Sequence, residues 1–520
     1  MIRFPRSLLA SCAAAALAVT ALTAQAADHG RVRMIVAYKA GNAQAATNAV
    51  TALGGRVLDT IEDSDALAVS VPRSAVAALR AARGVDYVEE DVIRTIQGMR
   101  APVRTYALPG TPQTTPYGIT QVQADQVSGT PLWSPKICII DSGVDATHED
   151  LAGNNFSGKN FSGSGSWNTD EDSHGTHVTG TIAALNNTVG VVGVGANKQF
   201  KLVIAKVFDA TGSASSSVIT KAINYCGRQK VNIISMSLGS SGNSRTEKRA
   251  LDKLQAAGVL LVAAAGNSGD GTLNYPAALD SVMSVAANDV NKEWASFSTF
   301  NADVEISAPG VSVLSTVPKG SQIGASTSVG GAAYTVQPMT GSPLTSATGP
   351  LADFGFGDTP VPGSMTGMIC LISRGNISFA DKVLNCQNSG GIGAIVYNNT
   401  AGDLFGTLGT TVTTIPSVGA LQSDGATMLT QVGQSATVGV FPTDDVYAEY
   451  NGTSMATPHV SGVAGLVWSY HPECTAEQIR STLKLSAMDI GDPGRDDKTG
   501  AGLVQAKAAL DRIAAAGCGN

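Results

Sequence analysis

The sequence predicts an α/β protein: a three-layer sandwich around a parallel sheet, preceded by a small α+β unit and interrupted by a β-rich insert. Three observations lead to this fold class. Between residues 113 and 319, short apolar strands alternate with helical segments, which is typical of a parallel sheet covered on both faces. Residues 31–96 follow a β-α-β-β-α-β order, which is the ferredoxin-like pattern. Residues 320–445 are rich in Gly, Thr, Ser and Val and carry few charges.

Composition narrows the classes of function. Only 14% of the 520 residues are charged and 58 are glycine, which excludes a disordered or coiled-coil protein because both need far more charge. The net charge of −7 argues against a nucleic-acid-binding protein, which would carry a basic face. After residue 26, no apolar run reaches the roughly 18 residues that a membrane span needs. A large, multi-domain enzyme fits these observations.

The first 26 residues have the features of a secretory signal peptide. Two arginines precede an apolar stretch from Leu8 to Leu22, and Ala24-Gln25-Ala26 supplies the small-residue cleavage site. A bacterial lipoprotein box ending at Cys12 is the alternative, but the apolar run continues past that cysteine. We therefore expect a protein secreted to the extracellular space, with no membrane attachment after signal removal.

Cysteine usage agrees with export. Cys12 leaves with the signal peptide, and an even number of cysteines in an oxidising compartment favours three disulfides, with 15 possible pairings. Their spacing contains no C-x-x-C pattern, so zinc binding is the weaker alternative. The six remaining cysteines are Cys138, Cys226, Cys370, Cys386, Cys474 and Cys518.

The predicted elements follow in chain order. In the first unit, strands are predicted over 32–38, 56–61, 66–71 and 86–89, with helices over 43–53 and 74–82. A stretch dotted with four prolines follows, from Pro102 to Pro116, and we interpret it as an exposed linker suited to proteolytic cutting.

The central region supplies the parallel sheet. Its predicted strands cover 137–140, 201–207, 232–236 and 259–264, and its predicted helices cover 176–185, 216–226 and 246–257. Residues 454–516 return to helix-rich sequence. The insert between these two parts has short apolar runs over 368–372 and 394–397. About 125 residues without secondary structure would be implausible, so we expect a β-rich unit with its own core.

Three short clusters carry the chemistry, each beside a sharp turn. Asp141 ends an apolar strand in Ile-Ile-Asp-Ser-Gly, His174 begins a helix in His-Gly-Thr-His, and Ser454 lies in Asn-Gly-Thr-Ser-Met-Ala-Thr-Pro-His. Each alone has an ordinary explanation as a turn former, a cap or a packing residue. Together they indicate nucleophilic catalysis. A serine hydroxyl needs a histidine base, and a buried aspartate holds the imidazole in the correct tautomer.

The order Asp…His…Ser in these motifs resembles the subtilisin family of serine endopeptidases. The resemblance extends over about 113–318 and resumes over about 447–516. It implies a catalytic triad of Asp141, His174 and Ser454, an acyl-enzyme mechanism, and purely structural roles for His177 and His459. Asp145 keeps its place in the motif without a role in the triad.

The resemblance also implies the groups that hold the substrate. Asn267, in Ala-Ala-Ala-Gly-Asn, would donate to the oxyanion beside the Ser454 amide. Gly212–Ser216 would form the second edge of the cleft. No acidic residue matches in the pocket for P1, the residue before the scissile bond, so we expect a broad, mainly apolar P1 preference. The implied substrate-binding residues are Ser237, Leu238, Gly239, Ala264, Gly266 and Asn274.

Calcium is the cofactor that the resemblance implies. All six of the ligands that it implies bind through oxygen, the hard donor atom that calcium requires. An ordinary surface loop is the alternative, and the acidic loop over 492–497 is a weaker candidate for a second site. The implied ligands are the side chains of Gln113, Asp150 and Asn187 and the carbonyls of Leu185, Val189 and Val191.

The leader acquires a function from the same resemblance. Residues 27–112 resemble an inhibitor-type propeptide with its cleavage linker. We expect it to assist folding, to occupy the active site with its C-terminal tail, and to be removed by self-cleavage between about 97 and 113. The match of Gln113 to the calcium site favours the later half of that window. A permanent domain is the alternative.

The insert over 320–445 resembles a protease-associated (PA) domain, on the basis of Cys370…Cys386 and the Gly-Gly-Ile-Gly-Ala run that begins at Gly390. Substrate capture, control of access and a passive insertion all remain open as its role. By position, we expect disulfides that join Cys138 to Cys226, Cys370 to Cys386, and Cys474 to Cys518. A link similar to the first occurs in some relatives.

These features favour a secreted, calcium-stabilised, monomeric serine endopeptidase, made as a zymogen, that acts on protein and peptide substrates with its own propeptide as an intramolecular inhibitor. A binding protein that kept the fold is one alternative. A metal hydrolase that uses His174 and His177 is another, although the chain lacks an H-E-x-x-H motif.

Overall fold

The computed structural model describes residues 30–100, 109–375, 377–409 and 411–520. The predicted signal peptide over 1–26 lies outside the described residues, as does the part of the predicted linker over 101–108. In the described part of the chain, no helix has both the length and the hydropathy that crossing a membrane requires.

The N-terminal unit is a four-stranded antiparallel sheet in the order β2-β3-β1-β4, with two helices packed on one face. The predicted β-α-β-β-α-β order is confirmed. The second helix is shorter than expected because its first turn, Arg73–Ala75, is a 3₁₀ helix. The elements are β1 Arg31–Tyr38, α1 Ala43–Ala52, β2 Arg56–Ile61, β3 Ala66–Pro72, α2 Val76–Arg80 and β4 Val85–Glu90.

A short tail leaves this unit and enters the next one. Strand β5 (Ile93–Ile96) lies between two edge strands of the central unit, β10 (Ser213–Ser215) and β12 (Leu238–Gly239). It is antiparallel to both of them. Strand β6 (Met99–Arg100) continues onto β25 (Tyr447–Asn451). The chain therefore crosses the surface of the central unit in extended conformation.

A seven-stranded parallel sheet forms the middle layer of the central unit, in the order β15-β14-β13-β11-β7-β9-β8. This confirms the predicted parallel sheet. The strands are β7 Lys136–Asp141, β8 Asn155–Asn160, β9 Lys201–Lys206, β11 Ile233–Met236, β13 Leu260–Ala264, β14 Met283–Asn288 and β15 Val304–Pro309.

Alternate side chains of these strands pack in opposite directions, as a period of two requires. In β7, Ile137 and Ile139 join the core on the side of α4 (His174–Ala183) and α9 (Thr453–Tyr470). Cys138 and Ile140 join the core on the side of α5 (Ser216–Arg228) and α6 (Arg245–Ala256). Helices therefore cover both faces, and the unit is a three-layer sandwich. Its helices are α3 Tyr117–Gln121, α4 His174–Ala183, α5 Ser216–Arg228, α6 Arg245–Ala256, α9 Thr453–Tyr470, α10 Ala476–Leu485 and α11 Ala506–Ala516.

The insert is a second sheet unit with its own core. Its eight strands are mixed in direction, in the order β18-β17-β24-β20-β21-β22-β23-β19. The chain leaves the central unit after β16 (Val313–Thr316) and returns in β25, which pairs antiparallel with β16, so both connections lie side by side. The elements are β17 Ile323–Val329, β18 Ala332–Tyr334, β19 Val336–Pro338, β20 Ser346–Asp353, β21 Ile369–Ser373, α7 Phe379–Asn388, β22 Gly393–Tyr397, β23 Ser417–Ala420, α8 Gln422–Leu429 and β24 Ser435–Pro442.

The three cysteine pairs expected by position are joined in the structure. Cys138–Cys226 links β7 to α5, Cys370–Cys386 links β21 to α7 inside the insert, and Cys474–Cys518 ties the C-terminal segment to the turn before α10. The insert is rich in β-structure as predicted, while its assignment to the PA family stays a prediction.

Candidate active site

The aspartate and the histidine of the predicted triad meet at the carboxyl edge of the parallel sheet. Asp141 is the last residue of β7, and His174 is the first residue of α4. The Oδ1 atom of Asp141 lies 2.8 Å from Nδ1 of His174, and both side chains are buried. This contact places the proton of a neutral imidazole on Nδ1 and leaves Nε2 as the basic nitrogen.

Capping interactions fix the start of α4. The Asp170 carboxylate accepts hydrogen bonds from the amide of Thr176 at 2.8 Å and from its hydroxyl at 2.6 Å. It also accepts from the Ser142 hydroxyl at 2.8 Å, which ties the cap to the residue after Asp141. The two catalytic candidates are therefore held by the same local network.

Burial and charge act in opposite directions on His174. Burial lowers the pKa of the imidazole, but the adjacent Asp141 carboxylate, helped by Asp172 and Asp170, outweighs it and raises the pKa above its ordinary value. Nε2 is buried and has no hydrogen-bond partner among the described residues. The nitrogen that a general base would use is thus free.

Ser454 is the second residue of α9 and is fully buried. Its hydroxyl donates to the carbonyl oxygen of Ser237 at 2.9 Å rather than to His174. The preceding turn requires a glycine, because Gly452 has a φ of 145°. A Cβ atom there would lie 2.4 Å from the carbonyl oxygen of Gln97. The turn therefore leaves room for a carbonyl group next to the serine.

Two donors converge on that carbonyl. The oxygen of Gln97 accepts a hydrogen bond of 2.6 Å from Nδ2 of Asn267 and one of 3.1 Å from the amide of Ser454. These are the two groups expected to form the oxyanion hole. A peptide carbonyl of the N-terminal tail therefore lies between them.

Sequence reasoning missed the residue that orients Asn267. The Oδ1 atom of Asn267 accepts from both the amide and the hydroxyl of Thr453, each at 2.9 Å. Because a backbone N–H must meet an acceptor, this contact fixes the amide so that Nδ2 points at the Gln97 oxygen. The Thr in Gly-Thr-Ser was the available signal.

The tail is paired on both sides in the manner of a bound peptide. Ile96 pairs with Leu238 of β12, and its amide donates to the carbonyl of Gly212 at 3.1 Å. The amide of Gln97 donates to the Ser237 carbonyl at 3.3 Å. The two segments that the resemblance assigned to the cleft edges thus hold residues 93–97 between them.

The residues expected around the P1 pocket lie together beside Gln97. Asn274 is buried, and its Nδ2 donates to the Ala264 carbonyl at 2.9 Å. Cβ atoms added at Gly239 and Gly266 would lie 2.2 Å and 3.2 Å from the Asn274 side chain, so both glycines border it. The side-chain amide of Gln97 donates to the Gly239 carbonyl at 3.1 Å.

The other two histidines of the motifs make packing contacts. Nε2 of His177 faces the carbonyls of Val313 and Ala448 at 2.9 and 3.0 Å. Burial lowers the pKa of His177 to about 3, and burial likewise lowers that of His459 to about 4. Both imidazoles are therefore neutral at pH 7.

Two carboxylates join the N-terminal unit to the helices of the central unit. The Glu89 carboxylate accepts from the amides of Arg245 and Thr246 at the start of α6, at 2.7 and 2.9 Å. The Asp91 carboxylate accepts from the amide of Ser217 at the start of α5, at 2.9 Å. Each carboxylate satisfies free N–H groups and faces the positive end of a helix dipole.

The six expected calcium ligands come together in one loop region. The side-chain amide of Gln113 lies within 2.8 to 3.4 Å of four oxygens, with its nitrogen as the donor. Turning that amide over would make five oxygens converge, which a cation stabilises and a protein alone does not. Oδ1 of Asp150 is buried without a partner among the described residues. The four oxygens belong to Leu185, Asn187, Val189 and Val191.

Among the described residues, neither His174 nor His177 belongs to a cluster of side chains that could hold a metal. Within the described ranges, the cluster of His, Cys, Asp and Glu ligands that could hold a metal consists of Glu473, Cys474 and Cys518. The two sulfurs of that cluster are joined as a disulfide.

Comparison with known proteins identifies the family. A model of the subtilase family matches residues 134–352 and 367–502. The chain belongs to the subtilase family. A model of a peptidase inhibitor domain matches residues 13–91, which include the four-stranded N-terminal unit.

Individual subtilases agree with this assignment. Subtilisin DY of Bacillus licheniformis is 46% identical over 212 residues, which are 40% of this chain and 76% of that relative. Subtilisin E of Bacillus subtilis (strain 168) is 36% identical over 318 residues, which are 58% of this chain and 78% of that relative. The crystal structure of the psychrophilic subtilisin-like protease Apa1 from the Antarctic psychrotroph Pseudoalteromonas sp. AS-11 is 41% identical, with a TM-score of 0.54, and covers 78% of this chain and 100% of that one. The chain is accordingly a subtilisin-like serine endopeptidase.

Proposed function

We propose that this subtilase hydrolyses peptide bonds with Ser454 as nucleophile, His174 as general base and acid, and Asp141 as the group that orients the imidazole. The observation that carries the proposal is the position of the Gln97 carbonyl oxygen, between Nδ2 of Asn267 and the amide of Ser454. A carbonyl bound by these two donors is polarised for attack by the adjacent hydroxyl.

The acylation step follows from these contacts. The Ser454 hydroxyl turns from the Ser237 carbonyl toward Nε2 of His174, which takes its proton as Oγ attacks the carbonyl carbon of the P1 residue. Negative charge develops on the carbonyl oxygen, where Asn267 and the Ser454 amide donate. The Asp141 carboxylate stabilises the imidazolium through Nδ1–H.

The second half of the reaction uses the same groups. The imidazolium of His174 gives its proton to the leaving amine, the C–N bond breaks, and the P1 residue remains as an ester on Ser454. Water then enters, gives a proton to Nε2 and attacks the ester carbon. The serine leaves with that proton, and the new carboxylate is released.

The first substrate in this proposal is the chain itself, at the Gln97–Gly98 bond. Gly98 lies against the catalytic imidazole: a Cβ atom added there would be 2.7 Å from Nε2 of His174. The leaving amine is thus next to the group that would protonate it. This bond lies at the start of the 97–113 window, whereas the calcium motif favoured the later half.

Both positions fit a two-step maturation. From Thr111 onward, the chain forms hydrogen bonds with the loop over 185–191, which carries four of the expected calcium ligands. The Gly190 amide donates to the Thr111 carbonyl at 2.8 Å, and the Thr114 amide donates to the Gly190 carbonyl at 2.7 Å. Cleavage at Gln97–Gly98 would leave a linker over 98–112 for later trimming. Residues 27–112 would then be the propeptide and linker, and 113–319 with 446–520 the catalytic domain.

After cleavage the propeptide would stay bound as an inhibitor. Its contacts at Glu89 and Asp91 do not involve the cleaved bond, and strand β5 remains paired on both edges of the cleft. Other substrates would bind in the same extended manner, since main-chain pairing accepts any sequence. The expected pocket residues are uncharged and border the polar side chain of Gln97, which supports a broad P1 preference, while its mainly apolar character is carried over from the resemblance alone.

Calcium would stabilise the mature enzyme rather than take part in the reaction. The proposed ligands are Gln113, Asp150, Asn187 and the three loop carbonyls, and they fit the ion because the set contains only oxygens and one buried, unpartnered carboxylate oxygen. Bound calcium supplies positive charge that would neutralise Asp150 and tie the start of the mature chain to the loop after α4.

Two further features belong to the proposal. The signal peptide would direct secretion of a monomeric enzyme.

The insert over 320–445 would act as a PA-type domain. It is attached at the end of the β16–β25 pair where Thr316 faces Tyr447, and β25 then leads from the insert to Gly452.

Intact-mass measurement of the secreted wild type beside Ser454→Ala tests the proposed function. We expect the wild type to lose its leader and to hydrolyse casein, and the variant to keep its leader and show no activity. If both proteins are processed alike, another protease does the cutting, and self-processing is wrong. If the variant hydrolyses casein, Ser454 is not the nucleophile.

A further inference from the structure

Arg94 of the tail makes a buried ion pair with Glu247 of the catalytic domain. The guanidinium and the carboxylate are each 1% exposed, and Nη2 lies 2.8 Å from Oε2. Nε lies 3.1 and 3.3 Å from the two carboxylate oxygens, which makes the contact a fork. The remaining nitrogen, Nη1, donates to the Ser240 hydroxyl at 2.7 Å and to the Gly242 carbonyl at 2.5 Å.

This pair occupies a substrate position. Arg94 lies three residues before Gln97, whose carbonyl is in the oxyanion hole, so it corresponds to P4 of a bound peptide. Its backbone pairs with Ala214 on one edge of the cleft, as that of Ile96 pairs with Leu238 on the other. Every group that binds the guanidinium belongs to the catalytic domain and remains there after the propeptide leaves.

The acceptor is built into the catalytic domain in advance. Glu247 lies in the first turn of α6, where the helix dipole favours a carboxylate, and its amide bonds to the capping hydroxyl of Ser244 at 3.3 Å. A carboxylate that is buried without a cation is costly, because nothing replaces its hydration. Departure of Arg94 therefore leaves a site that favours a cationic side chain over an apolar one.

We infer that Glu247, with Ser240 and Gly242, forms an S4 subsite that selects arginine at P4 of the substrate. The inference rests on the proposed function, since it takes the tail as a bound substrate. Arginine fits better than lysine because its planar fork meets both carboxylate oxygens while its third nitrogen reaches two further acceptors. Selectivity would thus lie at P4, while P1 remains broad.

Two quenched fluorescent peptides test this subsite. One copies residues 92–99, Val-Ile-Arg-Thr-Ile-Gln-Gly-Met, and the other has leucine in place of the arginine. With the processed wild-type enzyme, we expect kcat/KM for the arginine peptide to be about tenfold to a hundredfold higher, the range typical of charge-assisted hydrogen bonds. Equal rates, or faster cleavage of the leucine peptide, would overturn the inference. A lysine peptide should fall between the two.

A variant assigns the preference to the carboxylate. Glu247→Leu alone would bury Arg94 without a partner in the zymogen, so it is made together with Arg94→Leu, which restores a matched pair for folding. The processed double variant should prefer the leucine peptide. Asp252→Asn, an exposed change on the same helix, should keep the wild-type preference. An arginine preference that survives in the double variant would contradict a role for Glu247.

The outcome separates this inference from the proposed function. If casein hydrolysis depends on Ser454 but the enzyme does not discriminate at P4, the inferred subsite is wrong and the protease mechanism stands. If the processed wild type does not hydrolyse casein, the proposed protease mechanism itself is wrong.

Discussion

The carbonyl oxygen of Gln97 accepts a hydrogen bond of 2.6 Å from Nδ2 of Asn267. This contact joins the N-terminal leader to a group whose proposed role is to stabilise a transition state. It means that one set of donors would serve inhibition and catalysis, because the tail binds where a substrate carbonyl would bind. The tail is also held by main-chain pairing on both sides, so its carbonyl is delivered to these donors in a defined register.

Asn267→Ala should lower kcat far more than it raises KM, since the donor acts mainly on the charge that develops in the transition state. The reference case for such a donor is an asparagine of a subtilisin, where the loss in kcat is about 10²–10³, and we adopt that magnitude. Steady-state kinetics on one peptide measure it. Thr453→Val should give a smaller loss, because the Thr453 amide still holds Asn267. Asn291→Ala, at an exposed turn, is the control; an equal loss in the control would contradict the assignment.

In the pH profile of the self-cleavage rate, the midpoint of the acid limb should lie above the ordinary histidine pKa of about 6.5. The reason is that Asp141 raises the pKa of His174 against the effect of burial, and only the neutral imidazole can take the serine proton. The rate of zymogen cleavage measured from pH 5 to 9 gives the midpoint. Asp141→Asn should lower that midpoint and reduce the rate by about 10⁴, the magnitude known for a serine protease of another fold.

Asp172→Asn is the matched control for this pH profile. Asp172 also raises the pKa of His174, through charge at a distance, but it does not hold the imidazole. It should lower the midpoint slightly and keep the maximal rate. A profile of Asp141→Asn with the wild-type midpoint would contradict the account.

Because the pKa of His174 is raised in the folded state, its ion pair with Asp141 adds to the stability of the fold below about pH 6.5. That contribution is lost as the pH rises through the folded-state pKa.

Glu89→Ala should weaken the cleaved complex between propeptide and enzyme by at least about tenfold. The change removes a carboxylate that accepts from two amides at the start of α6, and such charge-assisted bonds contribute about 1.5–3 kcal/mol each. The activity recovered on dilution of the cleaved complex gives its dissociation constant. Glu90→Ala changes the exposed neighbour and should leave that constant unaltered within about twofold. Equal weakening in both variants would show that the cap is not responsible.

Chelation should lower the thermal midpoint of the Ser454→Ala protein, which cannot digest itself. With excess EGTA, the buried carboxylate of Asp150 would lose its compensating charge. Asp150→Asn in the same background should remove the calcium dependence of the midpoint. In EGTA it should be at least as stable as its parent, because a neutral amide replaces an unpaired charge. Asp145→Asn should respond to calcium like the parent, because the half-buried Asp145 carboxylate bonds only to the amide and hydroxyl of Thr147 and is not among the expected ligands.

A calcium response retained in Asp150→Asn would contradict the assigned site. The acidic loop over 492–497 would then be the candidate calcium site. In that loop, Asp496 accepts hydrogen bonds from the amides of Lys498 and Thr499 at 2.7 and 2.8 Å.

Local sequence patterns predicted the parts of this protein that depend on local structure. Asp141, His174 and Ser454 each lie in a short motif at a strand end or helix start, so their neighbours in sequence also determine their setting. The parallel sheet was predicted from buried apolar strands. The buried strands β14 and β15 were not among those named. The edge strand Asn155–Asn160 was also missed, because its residues alternate between exposed and half-buried and are mostly polar.

Contacts between distant residues could not be predicted in the same way. Arg94 and Glu247 are 153 residues apart, and only the fold brings the tail to the first turn of α6. The register of the tail in the cleft, which places Gln97 at Asn267, depends on pairing with two strands from other parts of the chain. Gly98 has a role in this register only once the fold is known, since a Cβ atom added there would lie 2.7 Å from Nε2 of His174.

The most direct test of the account is the mass of the first fragments formed by the refolding wild-type zymogen. Short reaction times are needed, before the linker is trimmed. We predict a leader that ends at Gln97 and a catalytic fragment that begins at Gly98, both absent from Ser454→Ala. A first cut at another bond, with no product ending at Gln97, would contradict the claim that the tail lies in the active site as a substrate.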